Sequence, residues 1–82
     1  MNIYVGNLSY EAADEDLQAA FSAHGTVQTA TVVMDRYTGR SRGFGFVEMP
    51  DPDQGRAAIA ALNGTELKGR PLRLDEARPR SA

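Results

Sequence analysis

The strongest constraint on how this chain folds is the order in which strand-type and helix-type hydrophobic patterns follow each other along the sequence. Alternating or β-branched side chains predict strands over residues 2–6, 27–34, 42–49 and 71–76. Apolar side chains at helical spacing predict helices over residues 14–24 and 52–62. A chain of 82 residues has room for one domain only. The predicted order of elements is therefore β-α-β-β-α-β.

This order predicts an α+β fold of the ferredoxin-like, split β-α-β type. Because βαβ connections are right-handed, the strands form a four-stranded antiparallel sheet with both helices on one face. The other face of the sheet is left to solvent or to a binding partner. The domain is predicted to span residues 1–77, and residues 78–82 form a short basic C-terminal tail.

Capping residues mark the predicted ends of both helices. Acidic side chains crowd the first turn of the first helix, where Asp14 is expected to act as the N-cap and Gly25 to end the helix. The second helix is expected to begin after the N-cap Asp51, with Pro52 at its first position, and to end at residues 63–64.

The composition excludes several classes of function. The chain has no cysteine and a single histidine, His24, so it has no disulfide, no thiolate metal site and no multi-histidine metal site. The composition permits a Ser-His-Asp triad, but no residue is recognisable as a nucleophile. The sequence therefore gives little support for an enzyme, and no cofactor is expected. No apolar run approaches the roughly 20 residues that span a bilayer, and the N-terminus lacks a signal-peptide pattern. A cytoplasmic protein without a membrane partner is expected.

Charge is distributed unevenly along the chain. The formal net charge of −2 argues mildly against nucleic-acid binding. However, residues 1–34 carry only acidic charges, whereas all 9 Lys and Arg residues lie in residues 35–82. A basic surface can therefore form on a chain that is acidic overall.

Residues 42–49 carry the clearest chemical signal. Their side chains alternate between two faces, with Arg42, Phe44, Phe46 and Glu48 on one and Gly43, Gly45, Val47 and Met49 on the other. Because Val47 and Met49 suit a core, the two Phe rings face away from it, and Tyr4 joins them by the same alternation. Each unpaired base stacked on an exposed ring contributes about 1–3 kcal/mol. Arg42 is placed to contact a phosphate.

Two segments resemble the signature sequences of the RNA recognition motif family. Residues 42–49 resemble the RNP1 octapeptide, [K/R]-G-[F/Y]-[G/A]-F-V-x-[F/Y], at every position except the core-facing Met49. Residues 3–8, IYVGNL, resemble the RNP2 hexapeptide. The two segments fall on the predicted third and first strands, and the resemblance covers essentially residues 1–77. Within the family, the chain is similar to small single-domain members from bacteria, notably cyanobacteria.

The resemblance implies specific roles for residues of the uncovered sheet face. Tyr4 and Phe44 would each stack a base, Phe46 would contact a sugar, and Arg42 would contact a phosphate. The family also uses the last strand and the residues after it, which adds Arg73, Asp75, Glu76 and Ala77. Two residues without a fixed role in the family complete the expected RNA-binding set: Asn2, which lies on the same face, and Arg40, which lies in the basic loop beside it. Three further side chains share the face without a fixed role in the family: Thr29, Thr31 and Glu48.

The implied function is single-stranded RNA binding by a monomer, in post-transcriptional regulation or RNA chaperoning. Single-stranded DNA is a second possible ligand, because stacking does not require the 2′-hydroxyl. Two alternatives remain open. An inverted strand would put the Phe rings in the core, at the cost of burying Arg42 and Glu48. The rings can also serve a protein partner. Separately, any one of the arginines can be an ordinary solvated surface charge.

Overall fold

The structure is a computed structural model that describes residues 1–77; the predicted tail, residues 78–82, lies outside the described residues. The elements in chain order are β1 (Asn2–Gly6), α1 (Asp14–Ser22), β2 (Thr29–Met34), β3 (Ser41–Glu48), α2 (Pro52–Leu62), β4 (Glu66–Leu67), β5 (Arg70–Pro71) and β6 (Arg73–Ala77). The predicted β-α-β-β-α-β order is confirmed, with the short β4–β5 hairpin added before the last strand. Within residues 1–77, neither helix has the length and apolar character needed to cross a membrane.

Four strands form one antiparallel sheet in the order β2-β3-β1-β6. The two strands in which the aromatic motifs lie, β1 and β3, are therefore central neighbours, and β2 and β6 form the edges. The β4–β5 hairpin is a separate two-stranded ribbon. This topology confirms the predicted ferredoxin-like α+β fold.

The hydrophobic core lies between the sheet and the two helices. Ile3 of β1 and Val47 of β3 are fully buried against Leu17 and Phe21 of α1 and against the rest of the core cluster. Met49 is also fully buried. Its departure from the RNP1 pattern is therefore confined to the core, where a flexible thioether side chain fills the space of an aromatic ring.

The first helix begins at Asp14 as predicted, but its N-cap and its last residue differ from the prediction. Its N-cap is Ala13, whose backbone N–H donates to Asp16 Oδ2 at 2.8 Å, and the helix ends at Ser22, before Gly25. Asp14 does not cap the helix, because its Oδ1 instead accepts the backbone N–H of Val32 in β2 at 2.7 Å. An edge strand leaves such amide groups without a ladder partner, and a carboxylate makes a strong hydrogen bond to them.

The second helix begins as predicted, and the last strand begins later than predicted. The Asp51 side chain accepts from the backbone N–H groups of Asp53 and Gln54 at the start of α2. At the other end of the chain, Pro71 pairs with Glu66 in the β4–β5 hairpin, so β6 starts only at Arg73. The hairpin turn, residues 68–69, has positive φ at both positions, as tight hairpin turns require.

Candidate nucleic-acid interface

The sheet face opposite to the helices presents side chains from all four strands. We call this surface the open face; its members are Asn2, Tyr4, Thr29, Thr31, Arg42, Phe44, Phe46, Glu48, Arg73, Asp75 and Ala77. The strand register arranges them in rows across the sheet. In one row, Phe46 lies between Thr31 and Tyr4; in the next, Glu48 lies between Thr29 and Asn2.

Three aromatic rings form a cluster at the centre of the open face. The Tyr4 and Phe44 ring centroids are 6.0 Å apart and the rings are nearly parallel, with an interplanar angle of 27°. Phe46 meets both rings edge-on, at 6.0 Å from Tyr4 and 6.1 Å from Phe44. Tyr4 is 37% exposed, and neither Phe belongs to the buried core. The predicted orientation is confirmed, and the inverted-strand alternative is wrong.

A glycine determines where the Tyr4 ring lies. A Cβ on Gly6, two residues along β1, would sit 2.7 Å from Tyr4 Cε2 and 2.8 Å from the Tyr4 hydroxyl oxygen. The ring therefore lies along its own strand, over the Gly6 backbone. Only glycine leaves room for the ring in this position.

The glycines of β3 serve the packing behind the rings. A Cβ on Gly45 would collide with the backbone oxygen of Thr31 and would approach Leu17 Cδ1 to 3.3 Å. Gly43 has a φ of 85°, and the β2–β3 register shifts between Val32 and Met34, opposite this part of β3. Glycine at position 45 therefore lets β2 and α1 approach the strand that carries Phe44 and Phe46, and glycine at position 43 permits the positive φ.

Cationic side chains gather at the end of the open face where β3 begins. The guanidinium carbon of Arg42 lies 5.8 Å from the Phe44 ring centroid, within cation–π range. Arg73 is paired with Gly6 across β1 and β6. Arg40 lies just before β3, in the β2–β3 loop, where it lines a groove of about 390 Å³ together with Arg42 and Tyr10.

The β2–β3 loop is ordered by one carboxylate. Asp35 Oδ1 accepts the backbone N–H groups of Tyr37 at 2.8 Å and Thr38 at 3.1 Å. These two hydrogen bonds, with a smaller contribution from the charge of Arg42, hold the pKa of Asp35 below its ordinary value. The backbone N–H of Asp35 also donates to the carbonyl oxygen of Arg40 at 2.7 Å, so Asp35 holds both the middle of the loop and the residue that lies beside β3.

The opposite end of the open face is acidic and polar. A depression of about 370 Å³ opens beside Phe46 and is lined by the side chains of Glu48, Thr29, Thr31 and Asn2 among others. A charge gradient therefore runs along the open face, from arginines where β3 begins to a carboxylate where it ends. Within residues 1–77, no group of three or more His, Asp or Glu side chains is placed to hold a metal ion.

Most of the residues expected to bind RNA come together on this surface. Tyr4, Phe44, Phe46, Arg42, Arg73 and Asp75 share its centre and basic end, with Asn2 and Ala77 at the other end. Glu76 is paired with Ile3, so its side chain alternates to the opposite face and does not join them. Arg40 lies beyond the end of the strand, in the loop.

One aromatic residue near the basic end was not singled out by the sequence pattern. Tyr10 is 67% exposed, and the Arg70 guanidinium carbon lies 5.9 Å from its ring centroid. Arg70 also donates to Asn7 Oδ1 at 2.8 Å. No local periodicity marks Tyr10, because it lies in a loop and its neighbours come from distant parts of the chain.

Comparison with known proteins agrees with this geometry. Residues 3–73 match the sequence model of the RNA recognition motif. The chain belongs to the RNA recognition motif family. Among relatives of this RNA recognition motif protein, RbpB of Nostoc sp. (strain PCC 7120) is 51% identical over 80 residues, covering 98% of this chain and 78% of RbpB.

Two solved structures resemble this RNA recognition motif domain closely along its whole length. The crystal structure of RNA-binding protein PG1 superposes with a TM-score of 0.95 at 51% identity, covering 100% of this chain and 99% of that chain. The Sxl-lethal protein/RNA complex gives a TM-score of 0.89 at 32% identity, covering 98% of this chain and 48% of the other.

Proposed function

We propose that this protein binds single-stranded RNA across the open face. The proposal rests on one observation: Tyr4, Phe44 and Phe46 form a cluster on the sheet face that is turned away from the hydrophobic core. Tyr4 is exposed and both Phe rings are half-buried, so the cluster presents aromatic surface to which every base offers a flat partner. Tyr4 and Phe44 stack one base each, and Phe46 packs against a sugar.

The arginines give the RNA its position. Arg42 and Arg73 contact phosphates at the basic end, and Arg40 extends this contact along the β2–β3 loop. Asp75, Asn2 and the main chain of Ala77 are available to base edges. The side chain of Glu76 lies on the other face, so this residue can contribute only through its main chain.

The name of a structural neighbour, a protein/RNA complex, supports RNA as the ligand. The role proposed is binding without catalysis, by a monomer, in the cytoplasm, in post-transcriptional regulation or RNA chaperoning. Single-stranded DNA is expected to bind through the same stacking contacts, with the loss of any contact to the 2′-hydroxyl.

The decisive test is the substitution Phe44→Ala, with Phe44→Tyr as its matched control. Loss of one stacking ring should weaken RNA binding by about 1–3 kcal/mol. Tyr keeps the flat face, so Phe44→Tyr should bind as the parent does. Binding is measured by fluorescence anisotropy with a labelled pool of short random single-stranded RNAs at low salt, and thermal unfolding establishes that both variants fold. Equal RNA affinity for Phe44→Ala and the parent would remove the open face from the proposal.

A protein partner on the same rings is the second candidate, favoured by the apolar character of the cluster. Salt distinguishes the two. RNA affinity should fall with salt, with a log–log slope of about −0.7 for each phosphate contacted, whereas an apolar protein contact responds little. An NMR titration of the labelled protein with the RNA pool locates the surface. If no shifts appear at Tyr4, Phe44 or Arg73 while the fold is intact, the rings are better explained as a protein-docking site.

A further inference from the structure

The acidic depression beside Phe46 has the size and lining of a nucleobase subsite. Its volume is about 370 Å³, within the usual range for small-molecule sites. Glu48 stands in the middle of its polar wall, directly opposite Thr29 on one side and Asn2 on the other. Phe46, two residues earlier in β3, supplies an apolar wall.

Glu48 is available to a ligand. The ion pairs within residues 1–77 join Arg56 to Asp53 and Lys68 to Asp16, and neither involves Glu48. The side chain is half-buried in a depression whose other polar groups are uncharged hydroxyls and an amide. A carboxylate accepts hydrogen bonds through two oxygens and donates none. The depression therefore favours a ligand edge that carries hydrogen-bond donors.

Electrostatics decides which part of an RNA enters this site. A phosphate beside Glu48 would meet a like charge, whereas Arg42 and Arg73 at the opposite end of the open face attract it. A backbone that follows the arginines leaves a base, and not a phosphate, to fill the depression. The charge gradient along the open face thus assigns phosphates to one end and a base edge to the other.

Guanine is the base whose pairing edge matches a carboxylate. It presents two adjacent donors, N1–H and the N2 amino group, which can form two parallel hydrogen bonds to the two oxygens of one carboxylate. Adenine and cytosine each place a single amino donor beside a ring-nitrogen acceptor, which a carboxylate repels. Uracil has one N–H between two carbonyl acceptors.

We infer that the Phe46–Glu48 depression is a guanine-selective subsite, in which Glu48 accepts the N1–H and N2–H hydrogen bonds. The inference rests on the proposed RNA binding, and it adds the identity of one base. Thr29 and Thr31, on the neighbouring strand, are positioned to hydrogen-bond the remaining polar groups of the nucleotide.

The test compares guanine with inosine, which lacks only the N2 amino group. The probes are single-stranded hexaribonucleotides of uridine that contain one guanine, moved through each position, and the same set with inosine in its place. Anisotropy is measured for the parent, for Glu48→Gln and for Glu15→Gln. Glu15 is an exposed residue of α1, on the helix side of the sheet, so its variant reproduces the change of charge away from the depression.

The parent should bind the best guanine oligonucleotide about tenfold more tightly than its inosine counterpart, since one charge-assisted hydrogen bond is lost. Glu48→Gln should reduce this ratio to near one, because an amide offers one acceptor and one donor group. Glu15→Gln should keep the ratio of the parent. Equal binding of guanine and inosine by the parent would overturn the inference, as would an unchanged ratio in Glu48→Gln. Absence of binding to every oligonucleotide would instead refute the proposed RNA-binding function.

Discussion

A single added methyl group at Gly45 should destabilise this domain without touching the open face. Gly45 lies in β3 between Phe44 and Phe46 and points towards the core. A Cβ there would collide with the backbone oxygen of Thr31, would lie 3.1 Å from Val32 Cα and would approach Leu17 Cδ1 to 3.3 Å. Two of these three neighbours are backbone atoms of β2, so relief requires a shift of the whole strand.

The magnitude follows from this geometry. Overpacking that moves backbone costs about 1–3 kcal/mol of the free energy of unfolding. In a domain of this size, each kcal/mol lowers the Tm by about 4–8 °C. We therefore expect Gly45→Ala to lower the Tm by roughly 5–20 °C.

Gly55 in α2 provides the matched control. A Cβ at Gly55 would contact Met1, first of all its sulfur, which lies near the end of a flexible side chain that can move aside. Replacement of a helical glycine by alanine also gains about 0.5–1 kcal/mol in backbone entropy and helix propensity. Gly55→Ala should therefore be neutral or stabilising when both variants are compared by urea and thermal denaturation. A Gly45→Ala protein as stable as the parent, or an equal loss in Gly55→Ala, would refute the packing explanation.

Two further predictions concern the basic end of the open face. Arg42→Gln should weaken RNA binding and reduce the log–log salt slope by about 0.7, the value for one phosphate contact on a single strand; an unchanged slope measured by anisotropy would mean that Arg42 meets no phosphate. Asp35 has a pKa lowered by the N–H groups of Tyr37 and Thr38. Its contribution to loop stability is therefore complete above the unfolded-state pKa and is lost as the pH falls through the lower folded-state pKa. The protection of the Tyr37 and Thr38 amides, measured as the exchange rate relative to the intrinsic rate at each pH, should fall over that acidic range in the parent, and Asp35→Asn should remove this dependence on pH.

The arrangement of the aromatic surface was predictable because each side chain of a strand can point to only two faces of the sheet, and successive side chains alternate between them. Once Val47 and Met49 were assigned to the core, the Phe rings had to lie on the other face, and both residues are indeed fully buried. The capping residues of α2 were predictable for a similar reason, since Asp51 and its hydrogen-bond partners are sequence neighbours.

The wrong predictions have two different causes, a hydrogen-bond partner that is distant in sequence and a turn of unusual composition. Asp14 has the residue type and position of an N-cap, but the unpaired amide of Val32 on the edge strand takes its carboxylate. The β4–β5 hairpin turns at Lys68 and Gly69, a pair that lacks the asparagine or aspartate usual before the glycine of such turns.

The hydrogen bond between Asp14 and Val32 has a consequence for self-association. The outward amide groups of an edge strand are a template on which a second chain can add a strand, and long exposed edges promote aggregation for this reason. In β2 one of these donors is already occupied by a carboxylate from α1. An incoming strand would have to displace a charge-assisted bond and would bring its own carbonyl oxygens close to the Asp14 charge. The hydrogen bond therefore disfavours the addition of a strand at this edge, next to the face that carries the aromatic cluster.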